Sequence, residues 1–244
     1  MGTLSTSILI ITVLLVLVVI ICASVFSAKP IRLKTLYVQK STCPFDLILY
    51  INLDKRADRR KEITDELRTL DWLPYTQRIS AVYTPGNGAY GCLQSHIKAL
   101  QLFLDSPADM KNVLILEDDV QFLHDPTPKL KTFLRRHRKT QWDVLMLASN
   151  TMVEKPYDTT ATKIVDAQTT AAYAVNRPFA KTLLEFWMST LPLFENDQIT
   201  DGRQCDITWK TLQPAANWYC LLPRPAIQRP GFSDIEQEIV DYKV

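Results

Sequence analysis

The apolar positions of this chain change their period along its length, and the changes mark out elements. Phe45 to Leu53 (FDLILYINL) and the aliphatic run Val113 to Leu116 are short and apolar at successive positions, as expected of strands buried on both faces. Trp142 to Leu147, Ala167 to Asn176 and Asn217 to Leu222 read as further strands. Between them the period lengthens. Ile63, Leu67 and Leu70 share one helical face, and Leu93, Ile97, Leu100 and Leu104 share another. After the loop at Pro126 and Pro128 comes a helix with Arg135, Arg136, Arg138 and Lys139, whose charges read as a solvated face. Asn176 as a cap, with Pro178 just inside, starts a helix through Trp187. The order β-α-α-β-α-β, then β-α, predicts an α/β body with a mostly parallel central sheet and helices on both faces.

A different pattern opens the chain. Ile8 to Phe26 is almost wholly aliphatic and long enough to span a hydrocarbon core at about 20 residues of 1.5 Å rise. Residues 1–28 are therefore expected to be an N-terminal transmembrane anchor, with a cleaved signal peptide as the competing reading because Val25 and Ser27 resemble a processing site. Residues 29–44 are expected to be a stem, and residues 45–244 one catalytic-sized domain. Lys29, Arg32, Lys34 and Lys40 follow the apolar run, and by the positive-inside rule they favour a cytosolic body.

Composition narrows the partners. The 28 basic and 26 acidic side chains nearly cancel, so no basic field points to nucleic acid. Cys43, Cys92, Cys205 and Cys220 have no sequence spacing typical of metal ligands; they are expected to be buried free thiols or, in an oxidising compartment, disulfides of undetermined pairing.

The chemistry gathers after the strand at Val113. Glu117, Asp118 and Asp119 stand at its carboxyl end, where open α/β sheets place their ligands. Three adjacent carboxylates suit a hard divalent cation such as Mn²⁺ or Mg²⁺, and equally suit a solvated loop. Arg59 and Arg60 sit near the start of a helix, where positive charge opposes the dipole unless an anion such as a phosphate faces it; surface pairing with Asp54, Asp58 or Glu62 is the competing reading. His96 lies close to an apolar helix face and on its own reads as structural. Ser233 and Glu236 have capping-box spacing, so the segment from Gln228 to Glu236 is either a short terminal helix start or a lid.

Together these stretches resemble glycosyltransferase family 25, which contains bacterial lipooligosaccharide galactosyltransferases and animal procollagen galactosyltransferases. The resemblance is carried by Tyr50-Ile51-Asn52-Leu53-Asp54 with Arg59-Arg60, Gly91-Cys92 with Ser95-His96, Leu116-Glu117-Asp118-Asp119-Val120, Thr170-Ala171-Ala172-Tyr173, Asp206 and Ser233-Asp234, in order from about Phe45 to Glu236. It implies a GT-A-like fold, a UDP-sugar donor, usually UDP-galactose, and a divalent metal, Mn²⁺ or Mg²⁺. The reaction would be an inverting transfer to a hydroxyl of a glycan or protein acceptor.

The residue roles follow from the same resemblance. Glu117, Asp118 and Asp119 would form the metal site, and Asn52, Arg59, Arg60, His96 and Asp118 would hold the donor. Asp206 would be the base, and Gln228, Ser233 and Asp234 would form a lid or face the acceptor. The resemblance also favours a lumenal body, of endoplasmic reticulum or Golgi type, against the charge flanks. The rival reading is a membrane-anchored binding or chaperone-like protein that keeps the fold without catalysis. A metal-dependent phosphotransferase or hydrolase ranks below both, since no P-loop is present.

Overall fold

The computed structural model describes residues 43–138, 141–195 and 204–242. The expected anchor and the stem up to residue 42 lie outside these. No helix among the described residues is long and apolar enough to cross a membrane.

Strand alternation builds two cores. In β1 (Leu47–Asn52), Ile48 and Tyr50 join one buried cluster while Leu49 and Ile51 join the other. In β3 (Asn112–Glu117), Leu114 and Leu116 likewise oppose Val113 and Ile115. Helix α1 (Ala57–Thr69) adds Ile63 and Leu67 to the first cluster, and α3 (Thr127–Arg136) adds Leu130 and Phe133. The second cluster takes Leu93, Leu100 and Phe103 from α2 (Gly88–Asp105), and Leu183 and Trp187 from α4 (Arg177–Glu195). Each such side chain contributes about 1.5–3 kcal/mol when it leaves water, so both faces of the sheet are covered because both are apolar. Leu70, expected on the buried face of α1, is its C-cap and packs only partly buried against the first cluster.

The remaining strands are β2 (Thr76–Ser80), β4 (Val120–Phe122), β5 (Val144–Met146), β6 (Asn150–Pro156), β7 (Ala161–Gln168), β8 (Ala172–Asn176) and β9 (Trp218–Leu221). Eight strands form one sheet in the order β2-β1-β3-β8-β5-β9-β7-β6. The sheet is mixed, which corrects the expectation of a mostly parallel one. β1 runs parallel to β2 and β3, and β5 to β9, but β8 is antiparallel to both its neighbours, and β7 is antiparallel to both β6 and β9. The expected strand from Ala167 to Asn176 is in fact the end of β7 and the whole of β8, separated at Thr169, whose φ is 84°.

Fixed polar contacts hold the ends of these elements. Asn176 caps α4, accepting from the Phe179 amide at 2.8 Å as its sequence position suggested. Arg177 turns back to donate to the carbonyls of Phe103, Leu104, Met110 and Pro107, closing the C-terminus of α2 where cations are favoured.

Candidate active site

Register decides what meets at the carboxyl end of the sheet. Ile51 is paired with Glu117 and Asn52 with Ser80, so β1, β2 and β3 all end on one side, and antiparallel β8 begins there. Asn52 therefore lies beside Asp118 and donates to its Oδ2 at 2.7 Å. The other oxygen of Asp118 accepts from Arg59 Nη1 at 3.2 Å, and the same nitrogen reaches Asp119 Oδ2 at 3.0 Å. One guanidinium thus serves two buried aspartates. Gln228 donates to Asp119 Oδ2 at 3.2 Å, brought there by a short strand, β10 (Ala226–Gln228), which pairs with β4.

The aspartate pair remains short of positive charge. Burial, then the neighbouring Glu117 and Asp118, push the Asp119 carboxyl up to about 7 against the pull of Arg59. Asp118 is also raised, by burial first, with Asn52 and Arg59 opposing. Asp119 Oδ1 is buried and has no hydrogen-bond partner. A buried carboxylate oxygen with an unused lone pair beside a second aspartate is a fit for a hard divalent cation.

Glu117 does not join that pair. As the last residue of β3 it faces the α2 side, where Oε1 accepts from Thr170 Oγ1 at 2.5 Å and lies 3.2 Å from His96 Nε2. Burial would raise its carboxyl, but the His96 and Thr170 hydrogen bonds prevail and hold it below the usual range. His96 is fully buried, with Nδ1 against Tyr173 Oη at 3.1 Å. The expected three-carboxylate cluster is therefore divided between two aspartates on Arg59 and one glutamate on His96.

Two adjoining cavities flank this line. One is lined by Asn52, Arg59, Val82, Tyr83, Asp118 and Asp119 among others, the second by Gln168, Thr169, Thr170, Cys205 and Asp206; Glu117 and Gln228 border both. Asp206 sits in α5 (Cys205–Thr208), where its Oδ2 accepts from the Thr169 amide at 2.9 Å. Burial is the main reason that its carboxyl lies above the ordinary aspartate range. Thr169 is a β-branched residue at positive φ and bears backbone strain of about 1–3 kcal/mol.

The C-terminal segment covers the first cavity. Ser233 Oγ accepts from the Ile235 and Glu236 amides, but no helix follows; β11 (Gly231–Phe232) and β12 (Ile239–Val240) pair around the turn instead. Asp234 is held by Lys55 at 2.8 Å and Arg56 at 2.7 Å, and the Phe232 carbonyl accepts from Arg59 Nη2 at 2.7 Å. Arg56, which sequence reasoning passes over, thus joins Lys55 and Arg59 in tying this cover to the start of α1. Arg60 is exposed and lines neither cavity, so of the expected pair only Arg59 reaches the site. Alternation along the helix start carries the signal, since adjacent helical residues point about 100° apart.

No family model and no curated protein matches this sequence. Solved structures similar to it include A197 from STIV, at 13% identity over 80% of this chain and 92% of that one, with a TM-score of 0.47. A glycosyltransferase involved in the glycosylation of the major capsid of PBCV-1 is similar at 12% identity over 71% of this chain and 80% of that one, TM-score 0.48. An active-site mutant of LgtC gives 13% identity over 70% of this chain and 71% of that one, TM-score 0.40. Likeness at these scores carries no argument about activity, which rests on the site itself.

Proposed function

We propose that this chain is a metal-dependent inverting glycosyltransferase of GT-A-like architecture. It would move a sugar, galactose in first place, from a UDP-sugar to a hydroxyl of a glycan or protein acceptor. The observation that carries the reading is the buried pair Asp118 and Asp119 at the carboxyl end of β3, sharing Arg59 and leaving Asp119 Oδ1 unpartnered beside a cavity. The family 25 resemblance of the sequence points the same way.

Asp119 and Asp118 would hold a hard divalent cation, Mn²⁺ or Mg²⁺, which supplies positive charge against a departing nucleoside diphosphate. Asn52 keeps Asp118 oriented through its 2.7 Å hydrogen bond. Arg59 adds a fixed positive charge in the same place, where preorganised charge is worth most. The acceptor hydroxyl oxygen attacks the anomeric carbon as the bond to the diphosphate breaks, and its proton goes to Asp206 in the second cavity. The raised affinity of Asp206 for protons suits that role, whereas Glu117 is held ionised by His96 and Thr170 and orients them instead. Membrane anchoring by the N-terminal apolar run, with a lumenal body, belongs to the same proposal.

One observation favours a second reading. Arg59 already bridges both aspartates and so stands where a cation would, and in a metal-independent transferase its guanidinium would turn from them to the diphosphate. Release of UDP from UDP-galactose, UDP-glucose and UDP-N-acetylglucosamine, with Mn²⁺ or with chelator, separates the readings. Release from one donor that needs Mn²⁺ and vanishes in Asp119→Asn supports the first. Release that survives chelation but vanishes in Arg59→Ala supports the second, and no release from any donor contradicts both.

A further inference from the structure

Next to Glu117 three side chains converge that the proposed transfer does not use, two of which, Cys92 and His96, also border the first cavity. Cys92 and His96 lie four residues apart on α2 and so share one helical face. Cys205, the first residue of α5, approaches them from the opposite wall. One ligand atom from each lies within 4.8 Å of the other two. We infer that Cys92, His96 and Cys205 form a second metal site, selective for a thiophilic divalent cation, zinc in first place, and separate from the oxygen ligands of Asp118 and Asp119.

The sulfur spacing suits tetrahedral ligation. The two sulfurs stand 3.8 Å apart, which equals the edge spanned by two zinc–sulfur bonds of about 2.3 Å. His96 has the ring support that metal-bound imidazoles require. Tyr173 Oη is at one nitrogen and Glu117 Oε1 at the other, so whichever nitrogen turns to the ion, the remaining one keeps a partner that fixes the ring. Two thiolates and an imidazole prefer zinc to magnesium or manganese, while two aspartates have the opposite preference, so each site selects against the other's ion.

Cys92 and Cys205 also line the second cavity, and an ion held by three protein ligands would keep a fourth position open. Sites with three protein ligands and an open position are the kind in which zinc meets water or a substrate oxygen. Because Asp206 directly follows Cys205, an ion held here would also fix the helix that carries it.

The test is the metal content of the full chain, purified with a thiol reductant, exposed to Zn²⁺ and dialysed, with Co²⁺ substitution as a spectroscopic probe. The expected result is retention of about one zinc per chain, with a sulfur-to-cobalt charge-transfer band in the Co²⁺ protein. Cys92→Ser/Cys205→Ser should lose both, and Asp119→Asn should keep both. Failure to retain zinc overturns the inference, as does retention unchanged in the double variant or isolation of the zinc-exposed protein wholly as a Cys92–Cys205 disulfide. Should the double variant not fold, absence of the charge-transfer band in the unsubstituted protein decides against the site. Metal content and spectrum are read without turnover, so this outcome is independent of the transferase reading.

Discussion

Asp119 is held in a position that a folded chain tolerates only with help. Its carboxyl titrates near 7 where an ordinary aspartate titrates near 3.8. Between those values the folded protein keeps a proton that the unfolded chain has lost, so metal-free stability falls as pH rises through that window. Asp119→Asn removes the charge. At pH 8 it should stabilise the metal-free protein by on the order of 1–3 kcal/mol, with little gain at pH 4, in denaturant unfolding followed at both values. The same variant should lose UDP release. Asp206 provides a second titration with another consequence. It must be ionised to accept a proton, and burial raises its folded pKa, so activity should fall with decreasing pH while still above the ordinary aspartate range. Asp206→Asn should cost about 10²–10⁴ in turnover, and Asp206→Glu should retain an acid limb; a pH profile of kcat/KM reads both. The aspartates are legible in the sequence because they end an apolar run. The pairing of Glu117 with His96 is not, since it depends on the face of β3 that Glu117 takes and on Tyr173 arriving from β8.

At the scale of elements, close approach explains what residue type alone does not. Gly91 stands out by motif; in the structure a Cβ there would stand 2.5 Å from both the Val82 carbonyl and Thr84 Oγ1. Helix α2 can therefore lie against the loop after β2 only with glycine at that place. Gly91→Ala should displace that loop, which lines the first cavity, and weaken UDP binding at least about tenfold with a smaller loss of stability; calorimetry and thermal unfolding measure the two separately. Strands with apolar residues on both faces are visible in the sequence, as β1 and β3 show. β2 and β6 are not. Only Ile79 is buried in β2, and β6 is an edge strand whose Met152 and Val153 remain exposed, so neither carries a readable period. Capping chemistry reads correctly at Asn176 and misleads at Ser233, whose cap bonds are made without a helix because the chain turns back to pair β11 with β12.

Across the whole molecule the site is held by the core on the α2 and α4 face. Trp209, just after α5, stacks on Trp187 with centroids 5.9 Å apart and meets Trp218 and Tyr173 edge-on at 4.9 and 5.3 Å. Helix α4, strands β8 and β9 and the segment bearing Asp206 therefore share one aromatic cluster. Trp209→Ala should cost about 3–5 kcal/mol in denaturant unfolding, and should reduce turnover beyond the loss of folded protein because Asp206 loses its backing. The reversal of β8 inside the sheet is beyond sequence reasoning, since strand direction follows from connections whose lengths permit either sense. The central claim is that Asp118 and Asp119 build a cation-assisted diphosphate site, and calorimetric titration of UDP into the full chain tests it most directly. UDP should bind with Mn²⁺ present, bind at least about a hundredfold more weakly with chelator, and bind Asp119→Asn in Mn²⁺ no better than it binds the unsubstituted protein with chelator. Equal binding of UDP by unsubstituted and Asp119→Asn protein, or no binding with Mn²⁺ present, would contradict it.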